Sequence, residues 1–207
     1  MISEGQAGPQ RLADGQTGRT RFDSGGGLVT NLWGRYTEAA KRGQLFMATT
    51  AVTGVAPGTA IGTTAAAALA NPIGSGVNLI VLQGSASYVS GTLGIGVVDW
   101  IGHLSPSQAA ITGTAMVIVP GNLLGPLPMG KALTTATVPA SGSVFRLFAN
   151  LPPMLATSAF APWRVDDFVD GAIVIPPGCA VSLQGTAAAG TTPLVRFGLC
   201  WLEEPLA

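Results

Sequence analysis

A chain of 207 residues, 47% hydrophobic and only 10% charged, has room for one domain and an arm. An average soluble domain is about 25% charged, so this surface must be covered by small polar and apolar residues or by other subunits. Ten basic residues balance ten acidic ones, which excludes a basic nucleic-acid-binding domain and favours self-association.

The balance hides an asymmetry. Six basic residues (Arg11, Arg19, Arg21, Arg35, Lys41, Arg42) and four acidic ones (Glu4, Asp14, Asp23, Glu38) fall in the first 42 positions, and residues 43–98 carry no charged side chain. Gly and Pro interrupt that uncharged stretch too often for a membrane span, which needs about 18–20 apolar residues. The start, MISEGQAGPQ, lacks the basic and apolar regions of a secretory signal, so synthesis in the cytoplasm is expected.

Residues 1–27 are rich in Gly, Gln, Arg, Asp and Thr with few large apolar side chains, and are expected to be unable to order alone. Fully extended at about 3.3 Å per residue, such a segment reaches on the order of 90 Å. In residues 30–43, TNLWGRYTEAAKRG, Leu32, Trp33, Tyr36, Ala39 and Ala40 recur at helical spacing and Lys41 and Arg42 precede Gly43. A short amphipathic helix over about 30–42 is predicted, with Trp33 and Tyr36 closing one end of the following domain or docking on a partner. Residues 1–43 are thus read as an arm and residues 44–207 as a domain.

From residue 44 onward the pattern is strand and turn. Candidate strands are 44–50, 78–90, 94–101, 112–119, 132–138, 144–149, 173–175, 179–184 and 194–202, bounded by Gly, Pro or Asn. The class is all-β, a jelly-roll β-sandwich of about 8–10 strands. The Ala-rich residues 64–70 read as one helical turn, stopped by Asn71-Pro72. Leu79 to Gly84 is apolar on both faces at one end, as in a central strand or one whose outer face meets another subunit.

The closing strands leave two arrangements open. If 179–184 pairs directly with 194–201, Val181 lies against Phe197 and Leu183 against Val195, and Cys179 and Cys200 face opposite ways. If residues 185–193 carry the chain to the other sheet, the cysteines part further. Both read as small buried hydrophobes without a disulfide. In either case Val181, Leu183, Val195, Phe197 and Trp201 belong to a core.

The search for chemistry finds little. The one histidine, His103, sits in a turn-like segment with Ser105 and reads as a loop histidine rather than a base. One His and two separated Cys cannot make a zinc site. The cluster Asp166-Asp167-Phe168-Val169-Asp170-Gly171 misses the ligand spacing of a calcium loop and reads as a solvated loop leading into a strand. Trp163 beside Arg164 offers a stacking surface for sugar if exposed, so Trp163, Asp166, Asp167 and Asp170 form the alternative ligand site. No phosphate-binding or dinucleotide motif is present, and no cofactor is expected.

Several stretches carry a resemblance: Trp33-Gly34-Arg35-Tyr36-Thr37-Glu38-Ala39-Ala40 with Gly43-Gln44-Leu45-Phe46; Asn71-Pro72-Ile73-Gly74-Ser75-Gly76-Val77-Asn78-Leu79; Tyr88-Val89-Ser90-Gly91-Thr92-Leu93-Gly94; and Ile175-Pro176-Pro177-Gly178 with Ser182-Leu183-Gln184-Gly185. Over residues 33–203 the chain resembles the small jelly-roll virion proteins of tailed bacteriophages. The resemblance implies a non-enzymatic homotrimer, on the capsid surface as cement or decoration or at the tail. The partners it implies are further copies of the chain and the major capsid protein, with no nucleic acid and no membrane. Arg11, Arg19, Arg21, Trp33, Arg35, Tyr36, Lys41 and Arg42 are then the candidate capsid-docking residues. A tail, baseplate or carbohydrate-binding jelly roll is the alternative.

Overall fold

The computed structural model describes residues 36–104, 111–155, 163–187 and 190–206. The described residues all belong to the unit Tyr36–Ala207. Among the described residues one helix, α1 (Thr37–Lys41), is followed by eleven strands: β1 (Leu45–Thr49), β2 (Thr64–Ala70), β3 (Val77–Ser90), β4 (Gly96–His103), β5 (Thr112–Ala115), β6 (Val117–Pro120), β7 (Lys131–Thr137), β8 (Ser143–Leu151), β9 (Arg164–Ile175), β10 (Ala180–Ala187) and β11 (Leu194–Pro205).

The strands form two antiparallel sheets, ordered β6-β1-β11-β3-β9 and β5-β7-β2-β10-β4-β8. The apolar alternation of the closing strands explains the division. Val181 and Leu183 on β10, and Val195, Phe197, Leu199 and Trp201 on β11, recur every second residue and all enter the same core, as strands with one buried face require. The two strands do not pair with each other. β10 inserts between β2 and β4 and β11 between β1 and β3, so residues 188–193 connect strands of opposite sheets, and both cysteines are free thiols.

The rows β1-β11-β3-β9 and β2-β10-β4-β8, opposed across this core, are the eight strands of a jelly roll. The remaining strands, β5, β6 and β7, are an insertion between β4 and β8. The sequence pattern predicts one strand over 112–119. Instead the run breaks at Met116: β5 joins the six-stranded sheet beside β7, and β6 joins the five-stranded sheet beside β1. Met116 is buried at the crossing, so this corner closes one open side of the sandwich.

Two further expectations are corrected. Residues 64–70 form strand β2 rather than a helical turn. Ala67 and Leu69 enter the main core, while Ala65 and Ala68 pack with Leu133 and Ala136 in a second cluster. Burial on both faces outweighs the weak helical preference of alanine. The acidic segment is not a loop but part of the twelve-residue β9, broken by a bulge in which Asp170 and Gly171 both have positive φ, 51° and 86°. A bulge lets an irregular stretch remain in a ladder.

The core is built on Trp100, Trp201, Phe46 and Phe197, all buried. Phe46 stacks on Trp201 at 5.9 Å between centroids, and Phe148 meets Trp100 edge-on at 5.8 Å. Gly84 on β3 makes room for the second pair. A Cβ at that position would lie 2.6 Å from Trp100 Cζ2 and 2.8 Å from Phe148 Cε2. Gly84→Ala is therefore expected to destabilise the fold by about 1–3 kcal/mol, read as a lower urea midpoint at unchanged slope.

Candidate functional site

Alternation along β9 sends the three aspartates of the acidic segment in different directions. Asp167 turns toward the interior at the edge where β8 and β9 meet. It accepts hydrogen bonds from Arg146 Nε (3.0 Å) and Nη2 (2.7 Å) and from Trp100 Nε1 (2.8 Å). Trp100 and Arg146 belong to the six-stranded sheet and Asp167 to the five-stranded one, so this carboxylate ties the sheets together. Asp166 faces outward, accepting from Gln83 Nε2 at 3.0 Å and from Arg164 Nε and Nη2 at 2.9 and 3.1 Å. Asp170, in the bulge, accepts from Tyr36 Oη at 2.5 Å.

The alternative ligand site is accordingly not one cluster. Trp163 is half-buried against the main core, and its carbonyl accepts from Tyr88 N at 3.0 Å. Among the described residues no three His, Cys, Asp or Glu side chains stand close enough together to hold a metal ion.

Of the candidate docking residues, Arg11, Arg19, Arg21, Trp33 and Arg35 lie outside the described residues. Tyr36, Lys41 and Arg42 are on or beside α1. Within the described residues the predicted helix spans 37–41, with Tyr36 and Arg42 at its ends; the predicted residues before Tyr36 lie outside those described. Arg42 Nε pairs with Glu38 Oε1 at 2.9 Å, one helical turn away. The structure thus joins one residue from each candidate set, Tyr36 and Asp170, across the outer side of the five-stranded sheet.

His103 is not a loop residue. It ends β4, is 1% exposed, and places Nε2 2.8 Å from Ser182 Oγ on β10. Ser105, its sequence neighbour, lies outside the described residues. An imidazole beside a hydroxyl is the pairing a hydrolase uses, yet Ser182 is also 1% exposed, and its oxygen is within 3.1 Å of Gln184 Nε2. Burial pushes the imidazole pKa down, partly offset by the Ala140 backbone, although Nδ1 makes no hydrogen bond of good geometry. The Ser–His pair is buried within the fold and offers no open face to a substrate. Sequence spacing hid it, because Ser182 is reached only through the β4–β10 pairing.

What the surface does present is apolar. Val119, Met47, Cys200, Gln83 and Phe168 are successive partners across all five strands of the smaller sheet, and Leu45, Leu202, Ile80 and Val174 form the next row. These rows lie on the outer face, where Met47, Val119, Phe168 and Val174 are exposed. Burial raises the Cys200 thiol to about 11, so it is an inert apolar member of the row.

Beyond β6 the chain enters residues 121–130, GNLLGPLPMG, where Leu123, Leu124 and Leu127 are 79%, 97% and 88% exposed. This apex is firmly held. Gly121 N donates to Leu45 O at 2.7 Å, and the buried Glu203 accepts from Met129 N at 2.9 Å and Gly130 N at 2.8 Å.

The strand order defines a jelly-roll sandwich of eight strands with a three-strand insertion. Comparison with family models, with curated proteins and with solved structures finds no match to this chain.

The Asp167 clamp carries a pH dependence. Hydrogen bonding from Arg146 holds its carboxyl below the ordinary 3.8; burial opposes this, and Trp100 and the guanidinium charge reinforce it. A depressed folded-state pKa contributes stability that is present above the unfolded value and lost as pH falls through the folded one. Arg146→Met is expected to cost about 1–2 kcal/mol at neutral pH, the part-exposed guanidinium limiting the effect. The gap from wild type should shrink below about pH 4, as read by urea denaturation across an acid series.

Proposed function

We propose that the protein is a non-enzymatic structural component of a tailed-bacteriophage virion, a homotrimeric capsid cement or decoration protein. In this reading the subunits meet through the apolar apex of residues 121–130, and residues 1–43 grip neighbouring copies of the major capsid protein. The observation that carries it is the apex itself, three nearly uncovered leucines on a segment fixed by backbone hydrogen bonds and a buried carboxylate. Each such side chain gains about 1.5–3 kcal/mol when fully buried, and a segment already ordered loses little further entropy on docking.

The remaining support comes from the sequence. The motif resemblance over residues 33–203 points to phage virion proteins, and the arm's basic residues among Gly and Gln suit an extended segment lying on another protein. Three arms held on one trimer reinforce one another's weak contacts through effective concentration, which is the advantage a cement protein needs.

Two variants test the reading. Leu124→Asp with Leu127→Asp changes side chains already in water and should leave the fold intact while converting the sedimenting species from trimer to monomer. A chain lacking residues 1–30 should remain trimeric but no longer bind empty capsids. Unchanged capsid binding by that truncation, or a monomeric wild type, would overturn the proposal. Saturable binding of host polysaccharide, lost on Trp163→Ala, would put a receptor-binding module in its place.

A further inference from the structure

Leu123, Leu124 and Leu127 stand almost wholly in water on a segment pinned at both ends, by Gly121 N on Leu45 O and by Met129 N and Gly130 N on the Glu203 carboxylate. A segment held in this way does not fold back to bury its own leucines, so their cover comes from another molecule. A second apolar patch lies at the far edge of the same sheet. Phe168 and Val174, 65% and 52% exposed, flank the β9 bulge, and Cys200 and Met47 continue the row of Phe168 across the sheet. The apex leaves the sheet from β6, and β6 and β9 are its outermost strands, about 19 Å apart at the usual strand spacing.

The charges at the margins of the two patches are opposite. Residues 121–130 carry no charged side chain, and Lys131 follows them, exposed and without an ion pair among the described residues. Beside Phe168 stand two carboxylates, Asp166 and Asp170, against one guanidinium, Arg164, which pairs with Asp166 at 2.9 Å. That margin is therefore acidic. The other exposed apolar stretch, Val144, Phe145 and Leu147 on β8, matches less well. Two register shifts break its ladder with β4, and Arg146, of the same charge as Lys131, lies within it.

We infer that the apex of one copy docks on the Phe168–Val174 patch of a second copy, with Lys131 of the first facing Asp170 of the second. A contact between two different patches is head-to-tail. Because the patches lie at opposite edges of one sheet, repeating the contact carries successive copies round an axis, and closure at three gives a ring. Each copy then covers both of its apolar patches, whereas apices pressed only on one another leave Phe168 and Val174 in water. The inference deepens the proposed trimer and rests on that self-association, not on the virion role.

Disulfide trapping tests it on the full chain. With Leu127→Cys and Phe168→Cys together, diamide oxidation should give a covalent trimer on a non-reducing gel, while each single variant stays monomeric there. Independently, Phe168→Lys with Val174→Thr changes exposed side chains. It should keep the wild-type circular dichroism and weaken self-association at least tenfold in sedimentation equilibrium. A covalent dimer from Leu127→Cys alone would show apex meeting apex and overturn the inference, as would unchanged association of the Phe168→Lys, Val174→Thr chain. If that chain remains trimeric but loses binding to empty capsids, the capsid protein is the occupant of the β9 patch; the inference then fails while the proposed function stands. A monomeric wild type would instead remove the proposed trimer, and this docking with it.

Discussion

Neither sheet is continuous without the last strands of the chain. β11 is the only link between β1 and β3, and β10 the only link between β2 and β4. Each is flanked on both sides, and between them they supply Val181, Leu183, Phe197, Leu199 and Trp201 to the core. The sandwich is thus completed by pairings between distant parts of the sequence, such as Phe46 with Trp201. Topologies of this kind fold slowly because loop closure precedes the contacts that compensate it. Everything else is positioned by that double insertion, including the outer rows of the smaller sheet and the buried His103–Ser182 pair between β4 and β10.

A two-sheet sandwich has two open sides, and the chain closes them by different means. On the β5/β6 side the backbone crosses from one sheet to the other at buried Met116. On the β8/β9 side a side-chain clamp does the work, Asp167 held by Arg146 and Trp100 from the facing sheet. A second carboxylate, Glu203, receives Met129 N and Gly130 N and also lies 3.2 Å from Trp201 Nε1. In a chain with so few charges, Asp167 and Glu203 are used inside, where a charge-assisted hydrogen bond is strong.

The strand periodicity of the core was legible because one-sided burial imposes a period of two; Val181, Leu183, Val195, Phe197 and Trp201 follow it. Residues 64–70 were not legible as a strand, since alanines buried on both faces show no alternation. The acidic segment misled because charge density suggests solvent, while the bulge at Asp170 and Gly171 lets the same residues pair in β9 and face three ways. The His103–Ser182 contact could not be read from spacing, because it depends on which strands become neighbours. The exposed leucines of residues 121–130 were visible as letters, but their exposure follows from the insertion's path around β6.

The proposed virion role unites features that are otherwise hard to reconcile: a surface poor in charge, a rigid apolar apex and a basic-rich amino-terminal sequence. Association through the apex would remove its leucines from water, and the arm would add reach beyond the domain. Electron cryomicroscopy of purified virions of the phage that encodes the chain tests this most directly. The proposal requires three jelly-roll domains clustered on the outer surface of the head, touching more than one major capsid subunit. Absence of the protein from the purified particle would contradict it.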